Sequence, residues 1–290
     1  MNLAQSYNEL ADLLHEIREE YLLYTLEQFQ YKKKVNSISD MFGLTKKNRL
    51  KNDYSAVYLI GKYETAPIIF FGVNPGYSKK NSPIEENEAS KSWQHYQNLY
   101  LNFFQYFSHY KFESPYYTAL WYLISGLTGT NYPKKRKWAL FDQYLCNMEL
   151  VPYHSEGIVF PTMLDEQQLN YLQNRHNSNI KFIKQFKPKL LIFNGKIWKT
   201  LFINYKLTEQ HVKAPTTNQF TMYSFEIDGI PSVLFDRFFQ RNFRGITDDD
   251  RMFTIPKLIH DRFKDLREDL SAVENKTLDN KTLDNKTLDY

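Results

Sequence analysis

Asn74 lies in a Gly-Val-Asn-Pro-Gly sequence, residues 72 to 76, directly after the apolar run from Ile68 to Phe71. In an open α/β sheet, ligands bind outside the carboxyl ends of the strands, and a turn constrained by glycine and proline holds a polar side chain rigidly there. An amide in that place can position a water molecule for attack on a substrate. A tight turn in which Asn74 only bonds its own backbone explains the same residues, and turn preferences alone favour that interpretation.

A second amide, Asn147, interrupts the apolar run YLCNMELVP, and His154 follows that run. A buried amide carries donors and an acceptor and can read the hydrogen-bonding edge of a nucleobase, whereas leaving it unpaired costs about 1–3 kcal/mol. Asn147 therefore needs a partner. Hydrogen bonds to the backbone of a neighbouring loop are the alternative way to satisfy it.

The third candidate is a basic and aromatic segment, DRFFQRNFRG, at residues 236 to 245. Arginine contacts phosphates and an aromatic ring can wedge into a base stack, so this composition is typical of a loop that binds nucleic acid. A solvated loop with its phenylalanines in the core is the alternative. The residues assigned to the nucleic-acid contact are Arg237, Phe239, Gln240, Arg241, Asn242 and Arg244.

Motifs for metals and for several common hydrolases are missing. The single cysteine, Cys146, excludes an internal disulfide and a cysteine-ligated zinc or iron–sulfur centre. The chain contains no P-loop, GxSxG or HExxH sequence. Three aspartates, residues 248 to 250, are expected to be favourable charges in the first turn of a helix. We therefore expect no metal and no other cofactor.

Composition indicates a folded globular protein. The chain has 290 residues, of which 42% are hydrophobic and 17% aromatic, so it can bury a sizeable core. Its longest apolar stretches, such as residues 67 to 73, are far shorter than the roughly 20 residues of a membrane-spanning helix. The first 20 residues do not resemble a signal peptide, which predicts a cytoplasmic location. A net charge of +4 permits a nucleic-acid partner without requiring one.

The elements that position these residues are predicted from hydrophobic periodicity. Helical spacing predicts a long N-terminal helix over residues 3 to 33, ended by three lysines. It predicts one or two helices over residues 85 to 108 and further helices over residues 116 to 127 and 166 to 186. Thr247 is expected to cap the last helix.

Short apolar runs alternate with these helices and predict strands. One strand covers residues 68 to 71, another contains Asn147, and a third lies in KPKLLIFNGK. The segment around Asp228-Gly229 predicts a hairpin. Strands that alternate with helices indicate an α/β fold with a mostly parallel sheet.

Three regions are expected along the chain. Residues 1–52 form an N-terminal helical extension and residues 53–270 form the α/β domain. Residues 271–290 contain the pentapeptide NKTLD three times, which is too polar and too short to build a packed repeat. We expect this tail to be disordered.

Four segments resemble the uracil-DNA glycosylase superfamily in their order and spacing, over roughly residues 65 to 265. These segments are IIFFGVNPG, YLCNMELVPYH, KPKLLIFNGK and VLFDRFFQRNFRGITDDD. The GVNPG sequence is similar to the first motif of the mismatch-specific and single-strand-selective branches. The resemblance implies a three-layer α/β/α sandwich with a mostly parallel central sheet of about four strands, preceded here by the N-terminal helix.

The resemblance also implies roles for residues. Asn74 would position the attacking water and Asn147 would read the base, and the remaining residues assigned to substrate binding are Gly72, Val73, Pro75, Gly76, Tyr77 and His154. Gly76 stands where the uracil-specific branch has a tyrosine that excludes bases with 5-substituents. The His-Pro-Ser or Asn-Pro-Ser motif of the family has no counterpart, and Phe238, Phe239 and Gln240 occupy its approximate place.

The implied activity is that of a monofunctional DNA glycosylase, a monomer acting on duplex or single-stranded DNA. It would flip out a damaged, mispaired or modified pyrimidine, including 5-substituted ones, and hydrolyse its N-glycosidic bond, leaving an abasic site. DNA repair and defence against phage are the roles open to such an enzyme. Two other functions stay open: a non-catalytic nucleic-acid-binding module, suggested by the missing motif, and a hydrolase or transferase of free nucleotides.

Overall fold

The computed structural model describes residues 3–108, 115–130, 133–161, 163–212, 220–236 and 246–272. The helices within these ranges are α1 (Leu3–Leu26), α2 (Gln28–Met41), α3 (Ser82–Ala89), α4 (Trp93–Leu101), α5 (Phe103–Ser108), α6 (Pro115–Thr128), α7 (Lys137–Tyr144), α8 (Glu166–Ile183), α9 (Ile197–Leu201) and α10 (Ile255–Arg262). The strands are β1 (Leu59–Ile60), β2 (Ile68–Gly72), β3 (Leu145–Glu149), β4 (Leu190–Asn194), β5 (Thr208–Val212), β6 (Phe220–Ile227) and β7 (Ile230–Phe235).

The strands form one mixed sheet in the order β1-β3-β2-β4-β7-β6-β5. Its centre, β3-β2-β4-β7, is parallel, and β1, β6 and β5 pair antiparallel at the two sides. From β2 the chain passes to β3, which lies on one side of β2, and then crosses over to β4, which lies on the other side of β2. The strand order therefore reverses between β2 and β4. The mixed α/β class predicted from the sequence is confirmed.

The prediction of about four strands is wrong for the sheet as a whole, since seven strands are described. Four is the number of strands in the parallel centre and does not include the antiparallel strands beside it. β5 has the sequence TEQHV and pairs only with β6, so as an edge strand it needs no apolar pattern. β1 is only two residues long.

The predicted hairpin is confirmed. β6 and β7 pair antiparallel up to Ile227 and Ile230, and the two residues between them have positive φ angles, 49° at Asp228 and 80° at Gly229. Two central residues with positive φ match the right-handed twist of the strands, which is why an Asp-Gly pair favours this turn.

The N-terminal helix predicted over residues 3 to 33 is two helices instead. The helical backbone is interrupted at Glu27, with φ −126° and ψ 49°, and α2 continues to Met41. The lysines at 32 to 34 do not end α2 because they lie on its exposed face, while Tyr31 and Val35 are fully buried on the other.

The segment from 85 to 108 forms three helices, α3 to α5, where one or two were predicted. Ser92 separates α3 from α4, because its side chain accepts a hydrogen bond from the backbone N–H of His95 and caps α4. Thr247, the predicted cap of the last helix, lies before the π-helical turn Asp250–Thr254 that leads into α10, and its Oγ1 accepts from the backbone N–H of Asp250 at 3.0 Å.

Helices cover both faces of the sheet. Adjacent residues of a strand point to opposite faces. Accordingly, Phe70 meets Tyr116 of α6 on one face at 5.9 Å between ring centroids, and Phe71 meets Trp198 of α9 on the other at 5.8 Å. None of the helices in the described ranges is both long and apolar enough to cross a membrane.

α1 packs against the α/β part of the chain through polar and apolar contacts. Ile17 and Tyr21 belong to the same core cluster as the sheet residues. Glu16 pairs with Arg175 of α8, and the Tyr153 hydroxyl donates to Glu20 at 2.9 Å. The boundaries predicted at residues 52 and 270 stay predictions, and residues 273–290 of the predicted tail lie outside the described residues.

Candidate active site

The loops after β2 and β4 meet closely at the point where the strand order reverses. Gly195 has a φ of 123°, and a Cβ atom there would lie 2.9 Å from Cγ2 of Val73. Only glycine permits this conformation and this approach without a shift. Crevices that bind ligands form at such switch points, outside the carboxyl ends of the strands. This edge of the sheet is therefore where side chains able to do chemistry are expected.

The loop containing Asn74 is tied to the segment that follows β3. Val151 donates its backbone N–H to Val73 O at 2.8 Å, and Tyr77 donates to Ser155 O at 2.8 Å. Gly76 and Ser155 form an isolated parallel bridge. The parallel pairing thus continues beyond the ends of the two strands and fixes the loop, which is the preorganisation that a catalytic side chain needs.

The Nδ2 group of Asn74 donates the hydrogen bonds that stabilise this loop. Its Nδ2 donates to Ser155 Oγ at 2.8 Å and to Pro75 O at 2.9 Å, with Tyr153 O at 3.4 Å. These bonds fix the amide plane, and its Oδ1 makes no hydrogen bond to the described residues. The arrangement agrees with a loop-stabilising role and also leaves an oriented acceptor for a water molecule.

His154 lies under the same loop and is buried. Its Nδ1 lies 3.1 Å from Gly76 O, so Nδ1 must carry the proton and donate. Burial lowers the pKa of His154 to about 4, which leaves the ring neutral at pH 7. Tyr54 contacts both His154 and Tyr77 edge-on. A neutral imidazole whose only N–H is already used cannot give a proton to another group.

Gly76 faces open space. The residue is exposed, and a Cβ atom there would have nothing within 4 Å among the described residues. A larger side chain is therefore compatible with the fold at this position, and the glycine leaves the adjacent surface unobstructed. Its neighbour Tyr77 lies under the Nζ of Lys51, 4.7 Å from the ring centroid.

Asn147 is 2% exposed, and its amide is only partly satisfied. It aligns with Phe70 on β2, so both side chains point to the face covered by α6. Asn147 lies close enough to the Tyr116 hydroxyl to lower the pKa of that group against the effect of burial, while Asn147 Oδ1 has no partner in the described residues. An unpaired buried acceptor costs about 1–3 kcal/mol, so this atom needs a water or a ligand.

Glu149 is a site residue that the sequence interpretation missed. It is 5% exposed and lies two residues after Asn147 on the same face of β3, aligned with Gly72. A Cβ atom at position 72 would lie 2.8 Å from Glu149 Oε1 and still closer to Oε2, so glycine makes room for the carboxyl group. Oε2 has no hydrogen-bond partner in the described residues. Burial raises the pKa of Glu149 to about 8.

The signal for Glu149 was present but indirect. An acid inside the apolar run of β3 stands opposite the glycine that ends β2. The contact between Glu149 and Gly72 can be recognised only from the register between β2 and β3.

Asn194 completes a row of oxygen acceptors at this edge. It is the last residue of β4 and pairs with Phe235 of β7, and its Oδ1 has no partner in the described part of the chain. Because Phe193 aligns with Phe71, Asn194 follows on the same face as Gly72 and Glu149. Asn147, Glu149 and Asn194 together can receive hydrogen bonds from the N–H or O–H groups of a polar ligand.

The predicted nucleic-acid contacts at Arg237, Phe239, Gln240, Arg241, Asn242 and Arg244 lie outside the described residues. β7, which precedes them in the chain, ends at Phe235 on the same edge as Asn194. Two shallow surface hollows lie elsewhere, one lined by Asp165, Glu166, Gln167 and Asn170 and the other mainly by α2. Neither contains a buried polar atom without a partner, so the strand ends are the stronger candidate.

The described residues contain no group of three or more His, Cys, Asp or Glu side chains placed to hold a metal ion. Comparison of the chain with protein-family models finds no matching family, and a search of curated proteins finds no matching sequence.

Proposed function

We propose that the protein is a DNA glycosylase that hydrolyses the N-glycosidic bond of a flipped-out pyrimidine and leaves an abasic site. The observation that carries the proposal is the partly unsatisfied amide of Asn147, buried in the middle of β3, two residues before the strand end that faces the Asn74 loop. A buried amide with a free acceptor suits the reading of a nucleobase edge.

Asn147 would contact the base. Its amide lies beside the Tyr116 hydroxyl, and the unpaired Oδ1 would accept a hydrogen bond from an N–H of the base. The aromatic pair Phe70 and Tyr116 surrounds this position with apolar surface. Hydrogen bonds are stronger in such a low-dielectric environment than in water, which favours recognition by one correctly placed amide.

Asn74 would position the water. The bonds of Nδ2 to Ser155 and Pro75 hold the amide still, and Oδ1 can accept a hydrogen bond from the water. A neutral amide is a negligible base. The rate enhancement must therefore come mainly from orientation and from stabilisation of the departing base.

The pyrimidine would be one with a 5-substituent, or one that is mispaired or modified. The open space around Gly76 supports this class, since no side chain at that position blocks the base edge. The substrate would be held through the basic segment at 237 to 244, which would repay the few kcal/mol that base flipping costs. DNA repair and antiphage defence are the roles compatible with this activity.

The test is base release from synthetic DNA. Duplexes and single strands carrying uracil, mispaired thymine, hydroxymethylcytosine or glucosylated cytosine are incubated with wild type and with Asn74→Ala. Abasic sites are revealed as alkali-dependent strand cleavage. The proposal predicts cleavage of at least one substrate by wild type and a loss of about 100-fold or more in the variant, the scale of removing one aimed polar group from an active site.

Two other results would contradict the proposal. Salt-sensitive DNA binding without cleavage of any substrate indicates a non-catalytic DNA-binding module, because phosphate contacts make affinity fall steeply with salt. Hydrolysis of free nucleotides with weak, salt-insensitive DNA binding indicates a nucleotide hydrolase. Borohydride trapping provides a further check, since a monofunctional glycosylase forms no covalent Schiff base with DNA.

A further inference from the structure

We infer that Glu149 is the acid that hydrogen-bonds to the departing base and gives it a proton, an inference that rests on the proposed base hydrolysis. The inference assigns the group that the sequence left unidentified, since the family's usual His-Pro-Ser or Asn-Pro-Ser motif has no counterpart here.

Cleavage of the bond between C1′ of the sugar and the base nitrogen leaves its electron pair on the base. A donor that meets this developing charge lowers the barrier. His154 is unsuited, because its Nδ1–H is committed to Gly76 O and its pKa lies near 4. The amides of Asn147 and Asn194 can hydrogen-bond to the base but have no acidic proton to transfer to it.

Glu149 is placed to reach a base that Asn147 reads. The two residues are separated by one position on β3 and point to the same face, so a rise of about 3.3 Å per residue puts their Cα atoms about 6.6 Å apart. The carboxyl group of Glu149 lies directly over Gly72 on β2, in the place that a larger side chain would occupy. Oε2 of Glu149 has no hydrogen-bond partner among the described residues, and it lies on the same face of β3 as the Asn147 amide.

The surroundings of Glu149 keep its proton on at neutral pH. From α6 it faces Tyr116 and Tyr117, whose own pKa values are raised chiefly by burial and partly by Glu149 itself. From α8, Asn179 donates to the backbone oxygen of Glu149 at 3.2 Å and not to its carboxyl group. Beside β1, Tyr58 O accepts the Glu149 backbone N–H at 3.0 Å.

None of these neighbours carries a positive charge that would hold a carboxylate. Burial alone accounts for the raised pKa among the described residues. A neutral carboxyl group both donates and accepts, so it can pair with a nucleobase edge before the bond breaks and transfer its proton as it breaks.

The overall reaction is a hydrolysis of the bond between C1′ and the base. The C1′–N bond breaks and its electron pair goes to the base, which takes the Glu149 proton. The water held by Asn74 adds its oxygen to C1′ and loses a proton to solvent, and Glu149 takes a proton from solvent to return to its starting state. The net reaction adds one water, giving the free base and the C1′ hydroxyl of the abasic sugar.

The experiment uses the full-length protein and a DNA substrate that wild type cleaves, under single-turnover conditions at pH 5 to 10. Wild type is compared with Glu149→Gln and with Glu226→Gln, a control that removes an exposed carboxyl group on β6. A second substrate carries fluorine on the pyrimidine ring at a position that wild type accepts. Fluorine stabilises the departing anion and reduces the need for a proton donor.

The inference predicts that Glu149→Gln lowers the rate on the ordinary base by about 10²–10⁴-fold, the usual contribution of a general acid. The loss of rate caused by Glu149→Gln is at least tenfold smaller on the fluorinated base. The activity of wild type falls above about pH 8, whereas the activity of Glu149→Gln does not. Glu226→Gln behaves as wild type.

Equal losses on both bases, or a Glu149→Gln variant with the wild-type rate, would overturn the role of Glu149 and leave the proposed function intact. A wild-type pH profile that stays flat from pH 7 to 10 would also overturn it, whether or not the variant folds. Absence of base release by wild type on every substrate refutes the proposed function itself.

Discussion

Replacing Glu149 by glutamine should change how the stability of the protein depends on pH. In the folded chain, burial raises the pKa of this carboxyl group to about 8, from an ordinary value of 4.5. Between these pH values the unfolded chain has lost a proton that the folded chain retains. Rising pH therefore favours unfolding, and stability present below about pH 4.5 is lost as pH approaches 8.

The magnitude follows from linkage. One proton released on unfolding lowers the free energy of unfolding by about 1.4 kcal/mol per pH unit, so wild type should lose about 4 kcal/mol relative to Glu149→Gln between pH 5 and 8. Above pH 8 the difference should become constant. Burial also raises the pKa of Glu85, to about 7. Because Glu85 is present in both proteins, its contribution to the pH dependence of stability cancels in the comparison.

The assay is urea unfolding of wild type, Glu149→Gln and Glu226→Gln at pH 5, 6, 7, 8 and 9. The free energy of unfolding of Glu149→Gln minus that of wild type should rise with pH, whereas the exposed control should show no such slope. A difference that is independent of pH, or that falls as pH rises, would refute the argument that burial keeps Glu149 protonated.

Three further substitutions test contacts elsewhere in the fold. Gly126→Ala places a Cβ atom 2.6 Å from Cγ of Pro256 and should cost about 1–3 kcal/mol, lowering the melting temperature by about 2–4 °C per kcal/mol; an unchanged melting temperature contradicts this packing. Asp165→Ala removes the acceptor for the backbone N–H of Gln168 and should cost about 1 kcal/mol in urea unfolding, in contrast to Asp165→Ser, which keeps a cap. Tyr153→Phe leaves buried Glu20 without one donor and should cost about 1–3 kcal/mol by the same assay.

Much of the fold could be predicted because local sequence and tertiary structure agree. The apolar run at 68 to 71 forms β2, and the Asp228-Gly229 pair forms the turn of the hairpin. β5 was missed because a polar edge strand gains its order from β6 and not from its own pattern. The end of α2 was misplaced because burial of Val35, and not the preceding lysines, decides how far the helix continues.

The site was only partly predictable for a similar reason. Asn74 and Asn147 are polar residues at conspicuous places, after one strand and inside another, and Asn74 lies at the expected end of the sheet. Glu149 could not be identified, since its importance depends on the register that sets it beside Gly72 and on burial that changes its protonation. The assigned roles of Asn74, Asn147 and the basic segment stay predictions.

The most direct test of the account is release of free base from the DNA panel by Asn147→Ala, compared with wild type and with Asn170→Ala. Asn170 is an exposed amide on α8, away from the strand ends, so its replacement controls for loss of an amide as such. The account predicts release by wild type and Asn170→Ala, and a rate at least 100-fold lower for folded Asn147→Ala. Equal rates for all three proteins, or no release by wild type, would contradict it.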